Sequence, residues 1–293
     1  HWVSYVGGSP LKTGIYVSNN TGEGWIENVQ FNSHYWNRST GYPKNVNPNP
    51  SSPTTYQQAN LDALKFGSCF NEHQAGNFVF AAKRGLYFPN DGGVCKSDVF
   101  MHGTDAGSYA ISVESPVGSQ LNFINSQLVL TTATSEAYIH TGSSFAGTAG
   151  FYNTLEWGNQ SGASATISGT GTVTLQQVNT SASGFNLAGG VSGVHNVTMT
   201  QSLNPQFTIG SGIVSSALYG NYNPGGFQMT NSAGDKVEAD YNFGRMKRTY
   251  NFATGWEFSE PQNQWNDVHY SSVNVVPFSG SVRPRSSAVS FDG

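Results

Sequence analysis

Ser108-Tyr109-Ala110-Ile111, Glu136-Ala137-Tyr138-Ile139 and Ser164-Ala165-Thr166-Ile167 follow one another at a constant spacing of 28, and each leads into a turn. A second series runs beside the first. Phe123-Ile124-Asn125 and Phe151-Tyr152-Asn153 are again 28 apart, and Val178-Asn179 comes slightly sooner, 26 after the second. A fixed period of this size is the mark of a solenoid, in which a repeat buries its apolar face only by stacking on its neighbours. The units are short apolar-polar alternations bounded by Gly, Ser, Asn and Thr, which is strand chemistry. No stretch sustains a helical period, so very little helix is expected.

Working outward, the amino-terminal part reads as strands at Trp2-Val3-Ser4-Tyr5-Val6, Gly14-Ile15-Tyr16-Val17 and Gly24 through Phe31. Residues 36–60 hold Pro43, Pro48, Pro50 and Pro53 among many Asn and Ser, and read as a long loop insertion without helix. Strands resume over 64–105, and later coils follow at Thr172-Val173-Thr174-Leu175, Gly184-Phe185-Asn186-Leu187 and Phe207-Thr208-Ile209. From residue 235 charges concentrate, so 235–293 reads as a segment capping the last coil, where an open sheet edge would invite aggregation. Nothing before Gly14 looks like a cap. A preceding segment or a second chain is therefore expected to complete the first coil. The 293 residues are taken as one continuous domain.

Charged residues make up only 10% of the chain, with a net charge of −4 and no basic cluster. Phosphate-backbone binding is excluded on that ground, so no nucleic acid is expected as a partner. No apolar run has the length of a membrane span. Solubility must come from amides and hydroxyls, which suits a secreted, extracellular protein that contacts polysaccharide or oligosaccharide. Residue 1 is His rather than Met, as in a mature or trimmed chain. Cys69 and Cys95 are about one coil apart, so a disulfide between adjacent coils is expected. No His or Cys spacing suggests zinc and no cofactor is expected. Calcium is the cation the composition would suit, since carboxylate and carbonyl oxygens are plentiful.

Coils of about 20–28 residues, short strands and a recurring turn Asn resemble the pectin-lyase-like superfamily, over roughly residues 14–230. The resemblance implies an all-β fold, a right-handed parallel β-helix. It also implies an Asn ladder inside one turn, carried here by Asn125, Asn153 and Asn179, with Asn32 on an earlier coil. Many members act on polysaccharides, and extracellular glucanases of the glycoside hydrolase family 55 type are similar. No adjacent Asp pair like that of polygalacturonases and no Arg-centred set like that of pectate lyases is found in the sequence.

Glycoside hydrolysis needs two carboxylates facing one groove. Adjacent coils lie about 4.8 Å apart, so stacked coils can supply them. Three clusters qualify. Glu27 lies in a strand ahead of the aromatic exit His34-Tyr35-Trp36-Asn37-Arg38, with Tyr42 beyond; Trp and Tyr faces stack on sugar rings. Asn71-Glu72-His73-Gln74 reads as a polar turn. Asp98, His102 and Asp105 flank a short strand. The catalytic candidates are therefore Glu27, Glu72, Asp98 and Asp105, and the substrate-binding candidates His34, Tyr35, Trp36, Arg38, Tyr42, His73 and His102. In the repeat core the ionisable groups are Glu114, Glu136, His140 and Glu156; Glu156, between Leu155 and Trp157, reads as an outward strand residue or as a carboxyl with a raised pKa. Lyase chemistry would need a base and a cation, and only Lys83-Arg84 and Arg245 with Lys247-Arg248 are dense enough in positive charge. The expected activity is glycoside hydrolysis. A polysaccharide lyase and a non-catalytic solenoid adhesin or tailspike stem are the alternatives, and convergence of two carboxylates with an aromatic in one cleft would separate enzyme from scaffold.

Overall fold

The computed structural model describes residues 1–38, 51–132, 135–158, 162–182, 184–189 and 191–195. It also describes the shorter segments 198–199, 206–213, 216–219, 221–223, 228–240, 243–244, 250–252 and 256–258. Among the described residues every strand pairing but one is parallel, and the chain winds as a parallel β-solenoid with three strands per coil. The first sheet stacks ten strands, from Trp2–Ser4 and Gly24–Glu27 through Cys69–Ala75, Cys95–Phe100, Gln120–Ile124 and Thr148–Tyr152 up to Val237–Asp240. A second and a third stack complete each coil. They are joined where the long strands Phe78–Phe88 and Gly103–Val113 run through both.

The corner between the first and second stacks explains why the turn is so short. One residue there takes a left-handed conformation in coil after coil: Tyr5, Asn28, Gly76, Met101, Asn125, Asn153 and Gln177, with φ between 51° and 63°. Its N–H donates to a carbonyl of the coil above, as in Asn28 to Ala75 (3.0 Å), Met101 to Ile124 (2.9 Å) and Asn153 to Gln176 (3.0 Å). Asn tolerates this region better than other residues with a side chain. The expected Asn ladder is therefore reduced to a recurring corner conformation that Asn fills in some coils. Asn125 and Asn153 are two such residues, and the Asn153 amide Nδ2 donates to Asn125 Oδ1 (2.7 Å) on the exposed surface. Asn28 is an earlier one. Asn179 is already in the next strand, opposite Leu155, and Gln177 holds the corner. Asn32 instead accepts the N–H of His34 at the start of a helix.

The interior is a set of apolar columns. Val3, Ile26, Gln74, Val99, Phe123, Phe151 and Leu175 are successive register partners in the first sheet. Phe123 and Phe151 stack face to face with centroids 4.5 Å apart, and Phe88 of the third stack meets Phe123 edge-on at 5.5 Å. Ile111 and Ile139 are partners, but Ile139 faces Ala165, while Ile167 pairs with Thr141. The coil that runs from Ile139 to Ala165 is two positions shorter than the one before it. The third isoleucine therefore lies in the neighbouring inward column with Val113 and Leu187.

Four expectations need correction. Residues 36–60 are not helix-free: α1 spans His34–Arg38 and α2 spans Ser51–Asn60. Pro53 falls in the first turn of α2, where backbone N–H groups have no intrahelical partner to lose. α2 is fixed on the second sheet by Gln57 donating to the Pro10 carbonyl (2.5 Å) and Gln58 to Thr131 (2.9 Å). Next, Cys69 and Cys95 are register partners but remain two buried free thiols. The Cys69 thiol points at the Val17 carbonyl (3.4 Å), and its hydrogen bond to Cys95 together with burial pushes the Cys95 thiol upward, which disfavours the thiolate that oxidation requires. The capping segment begins later than residue 235, since Val237–Asp240 and Phe243–Gly244 still stack as solenoid strands. An antiparallel pair, Tyr250–Phe252 with Trp256–Phe258, follows.

The last correction concerns the outward reading of Glu156, which instead points inward between Leu128 and Thr180 while Leu155 and Trp157 face solvent, in keeping with its other reading as a carboxyl of raised pKa. Ser164 donates to its Oε2 (2.6 Å) and Oε1 has no partner. Burial pushes its pKa up to about 8. A carboxyl whose folded pKa is raised contributes its full stability below the unfolded value of 4.5 and loses it as pH rises towards 8. Thermal unfolding should therefore show stability falling between those limits, by on the order of 5 kcal/mol from this group. Glu156→Gln, which mimics the neutral acid, should flatten that slope; an unchanged slope would refute the assignment.

Candidate functional site

The four acid candidates do not converge. Glu27 and Asp98 face outward from the first sheet. Glu72 lies in the strand Cys69–Ala75, not in a turn, and the alternation turns it inward with Gln74 and His73 outward. An extra residue in that strand, with Asn71 at φ 51°, sets this phase. The Glu72 carboxyl lies above Gly24, where any Cβ would collide with its Oε2. It meets Nε2 of His1 at 3.1 Å, and burial raises its pKa to about 7 against the opposing bond from Asn20. Asp105 is on the second sheet, between Phe80 and Val129, with its pKa raised by burial. His102 is wholly inside, its pKa driven down to about 3 by burial, with no partner for either ring nitrogen.

The binding candidates divide in the same way. His34 packs edge-on against Phe80 (5.4 Å), and Tyr35 donates its hydroxyl to Gln30 (2.5 Å), so both cover the second sheet. Trp36 is half-buried beside them, its N–H on Ser9 Oγ (3.0 Å). His73 stands on the first sheet. Tyr42 and the Arg38 side chain lie outside the described residues, as do Arg245, Lys247 and Arg248.

Carboxylates and aromatics come together instead on the outer face of the third stack. Two outward columns form there. Asp62, Arg84 and Tyr109 are successive partners, and so are Tyr16, Lys65, Tyr87, Ser112 and His140. Asp62 holds Arg84 in a two-pronged ion pair, Nε to Oδ1 at 2.6 Å and Nη2 to Oδ2 at 2.8 Å. The guanidinium lies 3.4 Å over the ring of Tyr87, and Lys65 sits 4.5 Å over Tyr16. Burial works to lower the Arg84 pKa, but the bonds and charge of Asp62 outweigh it and raise the value, so this cation is permanent.

Two carboxylates close the cluster. Tyr87 donates its hydroxyl to Glu114 Oε2 (3.2 Å), and Tyr109 donates to Glu136 Oε2. Burial and the Glu136 partner raise the Tyr109 pKa, keeping that phenol protonated. The Tyr109 ring stacks on His140 at 4.3 Å, inclined by 20°. Burial lowers the His140 pKa, while Glu114 and Glu136 both push it up; the net direction is down, which keeps the imidazole neutral. Ser112 lies between Tyr87 and His140, almost wholly buried, its hydroxyl without a partner. Among the described residues no group of three His, Cys, Asp or Glu is placed to hold a metal. Comparison with models of known protein families, with curated proteins and with solved structures gave no match.

The signal for this face was present in the sequence. Asp62, Arg84, Tyr109 and Glu136 follow one another at close to the coil period, and so do Lys65, Tyr87, Ser112 and His140. Aligning polar residues at roughly that period brings both columns into view.

Proposed function

We propose that this chain is a secreted enzyme acting on an extracellular polysaccharide, a glycoside hydrolase whose groove is the outer face of the third stack. The observation that carries this reading is the gathering of paired ionisable and aromatic groups on one face: Tyr87 donates to Glu114, Tyr109 donates to Glu136 and stacks on His140, and Asp62 holds Arg84. One carboxyl would protonate the glycosidic oxygen, and the other would activate water or attack the sugar carbon. Tyr16 offers an exposed ring on the same face, and Arg84 a fixed cation for hydroxyl oxygens. A scaffold protein would scatter such groups, since burying and pairing them costs free energy without improving coil stacking.

A specific observation also favours the lyase alternative. Arg84 and Lys65 flank Tyr87, and a neutral His140 stands by as a base, which would suit an acidic glycan. A polysaccharide panel read for both new reducing ends and the absorbance of unsaturated products tests the reading. Reducing ends alone indicate hydrolysis, and unsaturated ends lyase action. Neither product across neutral and acidic glycans would refute the enzyme reading and favour the adhesin.

A further inference from the structure

A second aromatic site lies on another face of the solenoid, on the outer side of the first sheet. Trp2 and Trp25 are register partners on adjacent coils. Both indole N–H groups are taken by one carboxylate: Trp25 donates to Glu27 Oε2 (2.9 Å) and Trp2 to Glu27 Oε1 (3.3 Å). That clamp fixes two rings that solvent would otherwise leave mobile, and Trp2 stays 72% exposed. The other flank of Trp25 rests on His73, with ring centroids 5.1 Å apart. His73 in turn lies 3.9 Å from Glu23 and 3.9 Å from Asp98, and Asn122 donates to Asp98 (2.8 Å).

Two clefts adjoin the pair. One, about 350 Å³, is walled by the two indoles, His1 and Glu23. The other, about 200 Å³, is lined by Asn71, His73, Lys96, Asp98, Gln120 and Asn122. A flat apolar ring beside amides, a carboxylate and an ammonium is the chemistry of a pyranose, whose C–H face stacks and whose hydroxyls need both donors and acceptors. The polar groups carry both signs, which suits a neutral sugar better than a polyanion or a cation. We infer that the Trp2–Trp25–Glu27 platform is a neutral-glycan binding site, separate from the Glu114–Glu136 groove and engaging the chain without cleaving it.

Affinity electrophoresis of the full chain through gels containing a neutral β-glucan, a neutral xylan or polygalacturonate tests this. It needs no turnover, so failure of the hydrolase reading leaves the result readable. Wild type and Glu136→Gln should be retarded alike by at least one neutral polymer. Trp2→Ala, at an exposed position, and Trp25→Ala should each weaken retardation about tenfold. Trp25→Phe, which keeps a ring but loses the indole anchor, should fall between. Three results would overturn the proposal: retardation unchanged in both alanine variants, no retardation of wild type by either neutral polymer, or self-association through this face in sedimentation without glycan binding.

Discussion

Glu136→Gln and Glu114→Gln should each lower turnover of the responsive polysaccharide by about a thousandfold or more, the range over which a positioned acid or base contributes. Both changes preserve shape and remove only the charge and the exchangeable proton. The new amide oxygen at position 136 can still accept from Tyr109, and the one at position 114 from Tyr87, so coil packing should survive. Circular dichroism and melting temperature should be close to wild type. The two sites should then differ in chemistry. Truncated to Ala, either site makes room for azide: a glycosyl azide of inverted configuration marks loss of the nucleophile or of an inverting enzyme's base, and one of retained configuration marks loss of a retaining enzyme's acid/base residue. Wild-type rates in both variants would remove the third-stack groove from consideration, whatever the panel shows.

The second large effect concerns stability. Phe151 is fully buried and stacked on Phe123, and its partner on the next coil is Leu175. Phe151→Ala should cost about 3–5 kcal/mol, because each coil touches only its neighbours and cannot collapse sideways to refill the space. For a chain of this size that is a fall of roughly 10 °C in melting temperature. Phe151→Leu keeps most of the volume and should cost about 1.5 kcal/mol or less. Equal melting of the alanine variant and wild type would mean that the inward aromatic column carries no stability.

The winding of the chain was legible because apolar columns repeat at nearly constant spacing between residues 108 and 167. The acid candidates were not, for a reason visible at Glu72 and Glu156. A strand residue points in or out according to one step of phase, and an extra residue at Asn71 or a small change in coil length reverses the reading. Sequence proximity was the other source of error. Asp98, His102 and Asp105 are neighbours in the chain, yet the left-handed corner at Met101 distributes them over the first sheet, the interior and the second sheet. Residues that do meet, such as Asp62 with Arg84, Tyr87 with Glu114 and Tyr109 with Glu136, are about a coil apart. The helices were missed because four prolines were read as breakers, although Pro53 occupies a turn where proline is tolerated.

The excursion that carries α1 and α2 leaves between Gln30–Phe31 and Asp62–Phe66 and returns with both strands in register with the coils on either side. The whole insertion is thus accommodated without moving a rung. That corner is a ready splice point. A foreign epitope or a small folded module grafted there would be displayed on a stiff rod, with the indole platform of the first sheet on a different face.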